Sequence, residues 1–351
     1  MKVAIHQNKT KFDHSTSWSY VWIDYCEKNN IPYEIVDCFQ SDIINKLKDF
    51  DCILWHFSNY SYSDMLFARS ILYSAKQMGL KVFPDFNDSW HFDDKIAETY
   101  ILQSINAPIP QSYIFHLYDD VKIWAEKYNN FPIVAKLKSG SGAHNVKLIK
   151  SKSELLSYAK RMFGKGYNPS PSIFYKAKSN YSSSKGNKNL MMSRIKRIPE
   201  FYRTWKNARQ FPNEKGYVFL QEFIKNDGYD LKIAIVRDKL VYFARHIRKN
   251  DFRASGGGDI YYNNSLITKD IVDSAFKISD RLGFQCIGFD YVFDNSENIG
   301  KIVEMSYGFA NNLIVQSNGY FDRKGIWHNE PLNAPEEILK NMLINIPKIN
   351  Y

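Results

Sequence analysis

The sequence lacks several features that would assign it to a common class of protein. Only four of its 351 residues are cysteines, Cys26, Cys38, Cys52 and Cys286, and they form neither a Cys-x-x-Cys pair nor a zinc-ligand spacing. The first residues do not resemble a signal peptide, and no apolar run reaches the roughly 18 residues that a membrane span needs. We therefore expect a cytoplasmic protein with reduced thiols and no membrane span.

Familiar catalytic and phosphate-binding patterns are absent as well. No Gly-x-Gly-x-x-Gly follows the first predicted strand, which argues against the usual dinucleotide-binding fold. No Gly-x-x-x-x-Gly-Lys-Ser/Thr loop occurs, and no order of Ser, His and Asp indicates a catalytic triad. His246 and His328 are isolated, a pattern more typical of packing or hydrogen bonding than of catalysis.

Positive charge is plentiful but confined to one segment. The net charge is +10, and residues 176–215 contain eleven Lys/Arg against two Asp/Glu, so the rest of the chain is nearly neutral. Residues from about 165 to 215 are rich in Lys, Ser, Asn and Tyr and have little periodicity, which predicts a solvated, mobile insertion. A charge carried by one insertion does not favour a nucleic-acid partner for the whole protein.

The hydrophobic pattern predicts an α/β fold with α+β character. Over the first 90 residues, four predicted strands alternate with three predicted helices, which indicates a mostly parallel sheet. Helical spacing follows at 93–105, 119–130 and 152–163, whereas the segments 131–150, 215–224, 231–248 and 286–305 are rich in strand patterns.

One strand pair raises a specific question about a lysine. In FPIVAKLKSGSGAHNVKLIK, residues 131–150, Lys136 ends a buried-looking strand just before Ser139, Gly140, Ser141 and Gly142. One interpretation is a hairpin whose lysine extends to solvent. The other is an anion site in which the lysine and the N–H groups of the small-residue loop bind together.

Two carboxylates are predicted to face each other. IGFDYVFDNSENIGKIVEMS reads as two strands joined by a turn at 294–300, and a register centred near Glu297 sets Asp290 opposite Glu304. Carboxylates in such a pair repel each other, and a cation between them removes the repulsion. Mg²⁺ favours one or two carboxylates plus phosphate oxygens. The alternative is a different register in which both side chains point to water.

Two further groups could contact a nucleotide. Glu222, in the apolar strand FLQEFI, could accept a hydrogen bond from an adenine amino group, although glutamates at strand ends are common. Arg245, Arg248 and Arg253 precede three glycines, and guanidinium groups beside such a loop suit phosphate or carboxylate. The alternative is a basic, solvated edge strand.

The order of these pieces resembles the ATP-grasp superfamily of carboxylate–amine ligases. The resemblance runs from about Asp93 to Ser306, and residues 1–90 resemble the α/β unit that precedes that fold. It rests on a lysine in an early helix, a lysine before a small-residue loop, a hinge strand, an Asp-Leu-Lys step, an arginine, a Phe-Arg step and an Asp/Glu pair. In this chain these are Asp94-Lys95, Lys136 with Ser139–Gly142, Gln221-Glu222-Phe223-Ile224, Asp230-Leu231-Lys232, Arg245, Phe252-Arg253, and Asp290 with Glu304.

The resemblance implies an N-terminal α/β domain over 1–90 and two lobes that grip ATP. The small lobe would span 91–220, with the insertion at about 165–215, and the large lobe 221–351. Phosphates would be held by Lys95, Lys136, Ser139, Gly140, Ser141 and Gly142, and the adenosine by Gln221, Glu222, Phe223, Ile224 and Asp230. Asp290, Glu304 and Ser306 would bind Mg²⁺, with Mn²⁺ as a substitute. Lys232, Arg245 and Arg253 would act on the transferred phosphoryl group.

Two departures from the family pattern affect these expectations. Ser306 stands where the family usually has asparagine, so a third protein ligand to the metal is in question, and Ala254-Ser255 replaces Ser-Asn. The tail MSYGFANN and GYFDRKGIWH resembles ATP-grasp proteins linked to bacterial surface polysaccharides, which implies amide formation between a sugar acid and an amine. A kinase of the same fold is one alternative. A polyanion-binding module on a degenerate ATP-grasp fold is the other.

Overall fold

The structure is a computed structural model that describes residues 1–7, 17–140, 145–169, 209–225, 228–246, 259–262 and 266–344. Within these ranges the strands form three sheets, one parallel and two antiparallel. No helix in the described part is both long enough and apolar enough to cross a membrane. The mixture of a parallel sheet with antiparallel sheets confirms the predicted fold class.

The N-terminal unit is a four-stranded parallel sheet in the order β2-β1-β3-β4, as the alternating pattern predicts. Its first strand is buried along its whole length, and the helix that ends before Gly79 is capped at its start by the Ser61 hydroxyl, which accepts from the N–H of Asp64. The elements are β1 (Val3–His6), α1 (Ser19–Lys28), β2 (Tyr33–Val36), α2 (Ile43–Lys46) with a 3₁₀ turn at Leu47–Asp49, β3 (Cys52–Leu54), α3 (Tyr62–Gln77), β4 (Lys81–Phe83) and α4 (Phe86–Ser89).

A small antiparallel sheet follows, in the order β5-β8-β6-β7. It consists of β5 (Ser112–Phe115), β6 (Ile133–Lys136), β7 (Val146–Ile149) and β8 (Val218–Glu222), and two helices, α6 (Tyr118–Lys127) and α7 (Lys152–Met162), share its core. Strand β8 lies between β5 and β6 although it comes more than 60 residues later in the chain, after the segment that contains the basic insertion.

The large sheet is antiparallel and has the order β13-β12-β9-β10-β14-β15, with β11 paired to β10. Helix α8 packs its apolar face on this sheet, begins at the Thr268 cap and ends at Gly283 in the left-handed conformation that favours glycine. The elements are β9 (Tyr229–Val236), β10 (Lys239–His246), β11 (Ile260–Tyr261), α8 (Lys269–Leu282), β12 (Cys286–Asp294), β13 (Ile299–Ser306), α9 (Asn311–Val315), β14 (Tyr320–Phe321), β15 (Trp327–His328) and α10 (Ala334–Ile344).

The N-terminal unit and the large sheet share one hydrophobic core. The indole N–H of Trp22 donates to the carbonyl of Pro335 at 2.8 Å, and the buried Asp88 accepts from the N–H groups of Gln285 and Cys286. Helix α5 (Lys95–Ser104) connects the units, because Leu102 packs with the large sheet whereas Ile96 packs with the small one. The boundaries at 90 and 220 stay predictions.

Candidate functional site

Lys136 ends β6 with its side chain directed at the large sheet. Its Nζ donates to Gln221 Oε1 at 2.6 Å and to the carbonyl of Val303 on β13 at 3.1 Å, and the residue is only 9% exposed. Burial lowers its pKa to about 8, and nearby Lys95 acts in the same direction, although Glu304 acts in the opposite one. Lys136 is therefore a buried cation whose two acceptors are neutral.

Lys95 reaches the same place from the first turn of α5. Its Nζ lies 3.1 Å from Glu304 Oε1 and donates to the carbonyl of Gly140 at 2.8 Å. Burial works against its charge, but Glu304, Asp93 and Glu98 outweigh burial and hold the pKa of Lys95 above its usual value. The two predicted phosphate-binding lysines thus lie against adjacent residues of β13.

The predicted pairing of the two carboxylates is confirmed, although the simple hairpin register predicted with it does not hold between the turn and Tyr291. Asp290 on β12 pairs with Glu304 on β13, and a bulge follows directly after Asp290. Both side chains therefore belong to the same face of the sheet, at its boundary with the small lobe. Asp290 is buried, whereas the side chain of Glu304 is 27% exposed. The alternative register, with both carboxylates in water, is excluded.

Asp290 is the centre of an ion-pair network on the large sheet. Lys232 Nζ lies 2.7 Å from its Oδ1, and Arg245 donates to its Oδ2 at 3.0 Å. Arg245 also forms a two-pronged contact with Asp230, in which Nε lies 3.0 Å from Oδ1 and a second nitrogen contacts Oδ2. Although burial opposes ionisation, Arg245 and Lys232 hold the pKa of Asp290 far below its usual range. Burial raises the pKa of Asp230, with Arg245 opposing it.

The donor set of this pair fits Mg²⁺ in its chemistry. Asp290 and Glu304 present hard carboxylate oxygens, and Mg²⁺ takes one or two of these together with phosphate and water oxygens. Across the described ranges, no group of three or more His, Cys, Asp or Glu side chains could hold a metal ion. The hydroxyl of Ser306 donates to the carbonyl of Gly308 at 2.8 Å, so its role as a third ligand stays a prediction.

Two carboxylates accept hydrogen bonds from the backbone of Lys138–Gly140, where the small-residue loop begins. The N–H groups of Lys138 and Ser139 donate to Glu214 at 2.9 and 3.1 Å, and the N–H of Gly140 donates to Asp93 Oδ1 at 2.9 Å. Burial raises the pKa of Asp93 to about 6. The phosphate contacts predicted for Ser139 and Gly140 therefore stay predictions, while Ser141, Gly142, Arg248, Arg253 and most of the basic insertion lie outside the described residues.

The predicted adenosine-binding residues of the hinge strand differ in their exposure to solvent. Gln221 is buried, accepts from Lys136 and donates to the Ser112 hydroxyl at 3.2 Å. Glu222 is exposed, with its N–H bonded to the carbonyl of Gln111, so its side chain does not need the buried partner suggested by the strand pattern. Ile224 is buried near the end of the hinge. The adenosine contacts of the hinge residues, Phe223 among them, stay predictions.

Three acidic residues next to these groups were missed by the sequence reasoning: Asp93, Glu98 and Glu214. Glu98 is buried, accepts from the N–H of Met305 at 3.1 Å and lies near Lys95, and burial raises its pKa. A signal for it existed, because a carboxylate three residues after Lys95 shares the buried face of α5. No local pattern marks Glu214, since its loop partners lie about 75 residues earlier. His328, by contrast, bonds to Asp322 at 2.9 Å, in line with its predicted hydrogen-bonding role.

No protein-family model matches the sequence, and no curated protein matches it either. Solved structures do. A RimK domain protein of the ATP-grasp type from Sphaerobacter thermophilus matches with a TM-score of 0.56 at 11% identity, over 98% of this chain and 100% of that one. D-alanine–D-alanine ligase from Bacillus anthracis, complexed with ATP, matches with a TM-score of 0.57 at 12% identity, over 98% and 97%. N5-carboxyaminoimidazole ribonucleotide synthetase from Thermotoga maritima gives 0.54 at 13% identity, over 95% and 77%.

Proposed function

We propose that the protein is an ATP-dependent ligase that joins a carboxylate to an amine through an acyl phosphate. The chain has the ATP-grasp fold, and its structural neighbours include a D-alanine–D-alanine ligase complexed with ATP. One observation supports this most strongly. Lysines from two separate elements, Lys95 on α5 and Lys136 on β6, meet β13 at Val303–Glu304, directly beside the paired carboxylate Asp290.

The proposed reaction has two displacements. An oxygen of the substrate carboxylate attacks the γ-phosphorus of ATP, so one P–O bond forms and the P–O bond to ADP breaks. The amine nitrogen then attacks the acyl carbon, a C–N bond forms, phosphate leaves with its C–O electron pair, and the amine proton passes to solvent. Neither step needs a protein nucleophile, which agrees with the lack of a catalytic triad in the sequence.

The residues of this chain would contribute position and charge. Lys136 and Lys95 would hold phosphate oxygens of ATP, and Lys232 with Arg245 would face the transferred phosphoryl group from the large sheet. Asp290 and Glu304 would hold Mg²⁺, which when bound neutralises charge on the phosphates. Lys232 and Arg245 both contact Asp290, so their positive charge would lie next to the carboxylate that holds the metal and beside the transferred phosphoryl group.

For the acceptor we propose a sugar acid of a surface polysaccharide or its precursor. Two sequence features support this choice: the resemblance of the tail to that subgroup, and the positive segment 176–215, which would attract an anionic carbohydrate. In this chain order the segment leaves the small lobe after α7 and returns at β8, next to Gln221.

A substrate screen tests the proposal directly. Purified protein with ATP and Mg²⁺ is offered uronic acids and amino acids in pairs, and release of ADP and of free phosphate is measured alongside product mass. A ligase releases both in equal amounts and yields an amide. A stable phosphorylated product without free phosphate would identify a kinase instead, and salt-sensitive polyanion binding without ADP release would indicate a degenerate fold.

A further inference from the structure

The start of the small-residue loop, Lys138–Gly140, has its backbone polar groups tied to neighbouring residues. Lys138 N–H is shared between Glu214 Oε2 at 2.9 Å and the Tyr217 hydroxyl at 2.7 Å, and Ser139 N–H goes to Glu214 Oε1. The carbonyls of Lys138 and Gly140 accept from the backbone N–H and the side chain of Lys95, each at 2.8 Å. The position of this segment therefore also orients Lys95.

Glu214 uses both of its oxygens fully in this arrangement. Oε1 accepts from the N–H and the hydroxyl of Ser139, and Oε2 accepts from Lys138 N–H and from the Tyr217 hydroxyl. Tyr217 is buried. Moving the carboxylate away would break all four contacts at once, one of them to a buried hydroxyl, which is costly. We therefore expect Glu214 to keep its position when the nucleotide binds.

The backbone of Glu214 is fixed as firmly as its side chain. Its N–H and carbonyl both pair with Tyr167, at 2.8 and 3.0 Å, across the two ends of the segment that leaves and re-enters the small lobe. Gly166 permits this close approach, since a Cβ there would lie 2.2 Å from the carbonyl oxygen of Glu214. The backbone pairing with Tyr167 thus fixes Glu214 just before β8, and its side chain then fixes Lys138 and Ser139.

We propose that Glu214 is a positioning residue for nucleotide binding, which acts by holding Lys138–Gly140 and, through them, the ammonium group of Lys95. The inference rests on the proposed function, because it assigns the loop and Lys95 to ATP. Glu214 itself does not touch the nucleotide. Its contribution is to fix the loop before ATP binds, so that less ordering is needed on binding.

Two measurements on the same variants test this inference. Hydrogen exchange of the Lys138 and Ser139 amides is followed without nucleotide, and the Kd for ATP·Mg²⁺ is measured by calorimetry. The variants are Glu214→Ala, which removes all four contacts, and Glu214→Gln, which keeps an oxygen for Ser139. Glu126→Gln is the matched control, because Glu126 is an exposed glutamate of the same lobe that pairs with Lys152.

We expect Glu214→Ala to speed exchange at both amides and to weaken ATP binding about tenfold, with Glu214→Gln in between and Glu126→Gln unchanged. Unchanged exchange, or fast exchange with unchanged Kd, overturns the inference. Tighter ATP binding by Glu214→Ala overturns it as well, since that would make the carboxylate a competitor of phosphate. If the wild-type protein does not bind ATP, the proposed function fails and this inference with it, whereas a failure confined to the variants leaves the proposed function standing.

Discussion

The small sheet and the large sheet bring different polar groups to the candidate site. From the small sheet comes Lys136, a buried cation whose Nζ is held by an amide oxygen and a backbone carbonyl. From the large sheet come Lys232 and Arg245, cations of similar burial that are already bound to a carboxylate, Asp290. A carboxylate thus neutralises the cations of the large sheet, whereas Lys136 of the small sheet has only neutral hydrogen-bond acceptors.

The difference shows where an arriving anion gains most. A cation buried with neutral acceptors is destabilised, and the lowered pKa of Lys136 expresses this cost. A phosphate removes that cost on binding. At Lys232 and Arg245 a phosphate must instead share the cations with Asp290, so the net gain there is smaller unless the carboxylate finds another partner. The small sheet is therefore expected to dominate nucleotide affinity, and the large sheet to act in the later steps.

Removing the charge of Lys136 should have the largest effect. Lys136→Met keeps most of the side-chain volume but removes the ammonium group, so ATP binding should weaken on the order of 100-fold or more. The fold should stay intact, because the charge that is lost is one that burial disfavours. Calorimetric titration with ATP measures the affinity, and thermal unfolding checks the fold. Lys147→Met, an exposed lysine on the neighbouring strand β7, is the control. Near-normal affinity in Lys136→Met would refute the assignment.

Substituting Asp290 and Glu304 by their amides should lower the stability of the protein by different amounts. From the sequence, mutual repulsion alone suggests that neither substitution lowers the stability of the metal-free protein. The contacts change that expectation for Asp290, because Asp290→Asn leaves Lys232 with a neutral partner and Arg245 with Asp230 as its remaining carboxylate. The substitution should cost about 3 kcal/mol of unfolding free energy. Glu304→Gln removes a partly exposed carboxylate, and the buried Lys95 keeps Asp93 and Glu98 nearby, so this variant should cost less than Asp290→Asn.

Both amide variants should lose Mg²⁺-dependent ADP release, since each replaces a negatively charged carboxylate ligand with a neutral amide. Denaturant unfolding without nucleotide or metal gives the two stabilities, and a coupled ADP assay gives the turnover. Equal destabilisation by the two variants would contradict the view that Asp290 neutralises the large sheet and Glu304 does not. Retained Mg²⁺-dependent turnover in either variant would remove that residue from the proposed metal pair.

Local sequence patterns predicted the pairing of Asp290 with Glu304, but a helix with clear local signals was not predicted. The pairing of Asp290 with Glu304 was predicted correctly from a hairpin centred near Glu297, but the turn alone does not fix it. From the turn to Tyr291 the strands pair one residue out of that register, and the bulge after Asp290 restores it. Helix α8 was missed although its signals are local, with a Thr268 cap, a buried apolar face and Gly283 at its end. It could have been predicted.

Other contacts could not be predicted from one sequence. Glu98 meets Met305 from 207 positions away, and Asp88 meets Gln285 from 197, so no window of the chain contains both partners. The same holds for the shared core of the N-terminal unit and the large sheet, which depends on contacts such as Trp22 with Pro335. Such contacts depend on how the sheets pack, which local periodicity does not specify.

The number of protons taken up on ATP binding tests the protonation state of Lys136 in the small sheet. With a pKa of about 8, Lys136 is protonated at pH 7 and mostly neutral at pH 9 in the free protein. Bound phosphate favours the charged form and raises that pKa, so ATP binding should take up almost no proton at pH 7 and nearly one at pH 9. ATP affinity should accordingly fall as the pH rises above about 8. Calorimetry in buffers of different ionisation enthalpy measures the uptake.

Gln221→Glu gives the lysine of the small sheet a carboxylate partner, as the cations of the large sheet have in Asp290. It places a carboxylate against Lys136 Nζ, at the position now held by an amide oxygen 2.6 Å away. The new ion pair should keep Lys136 protonated at pH 9, so the proton uptake disappears. It should also weaken ATP binding about tenfold at pH 7, because phosphate must then share the lysine with a fixed anion. If the uptake at pH 9 persists in Gln221→Glu, the proton belongs to another group, and the contrast between the two sheets does not rest on Lys136.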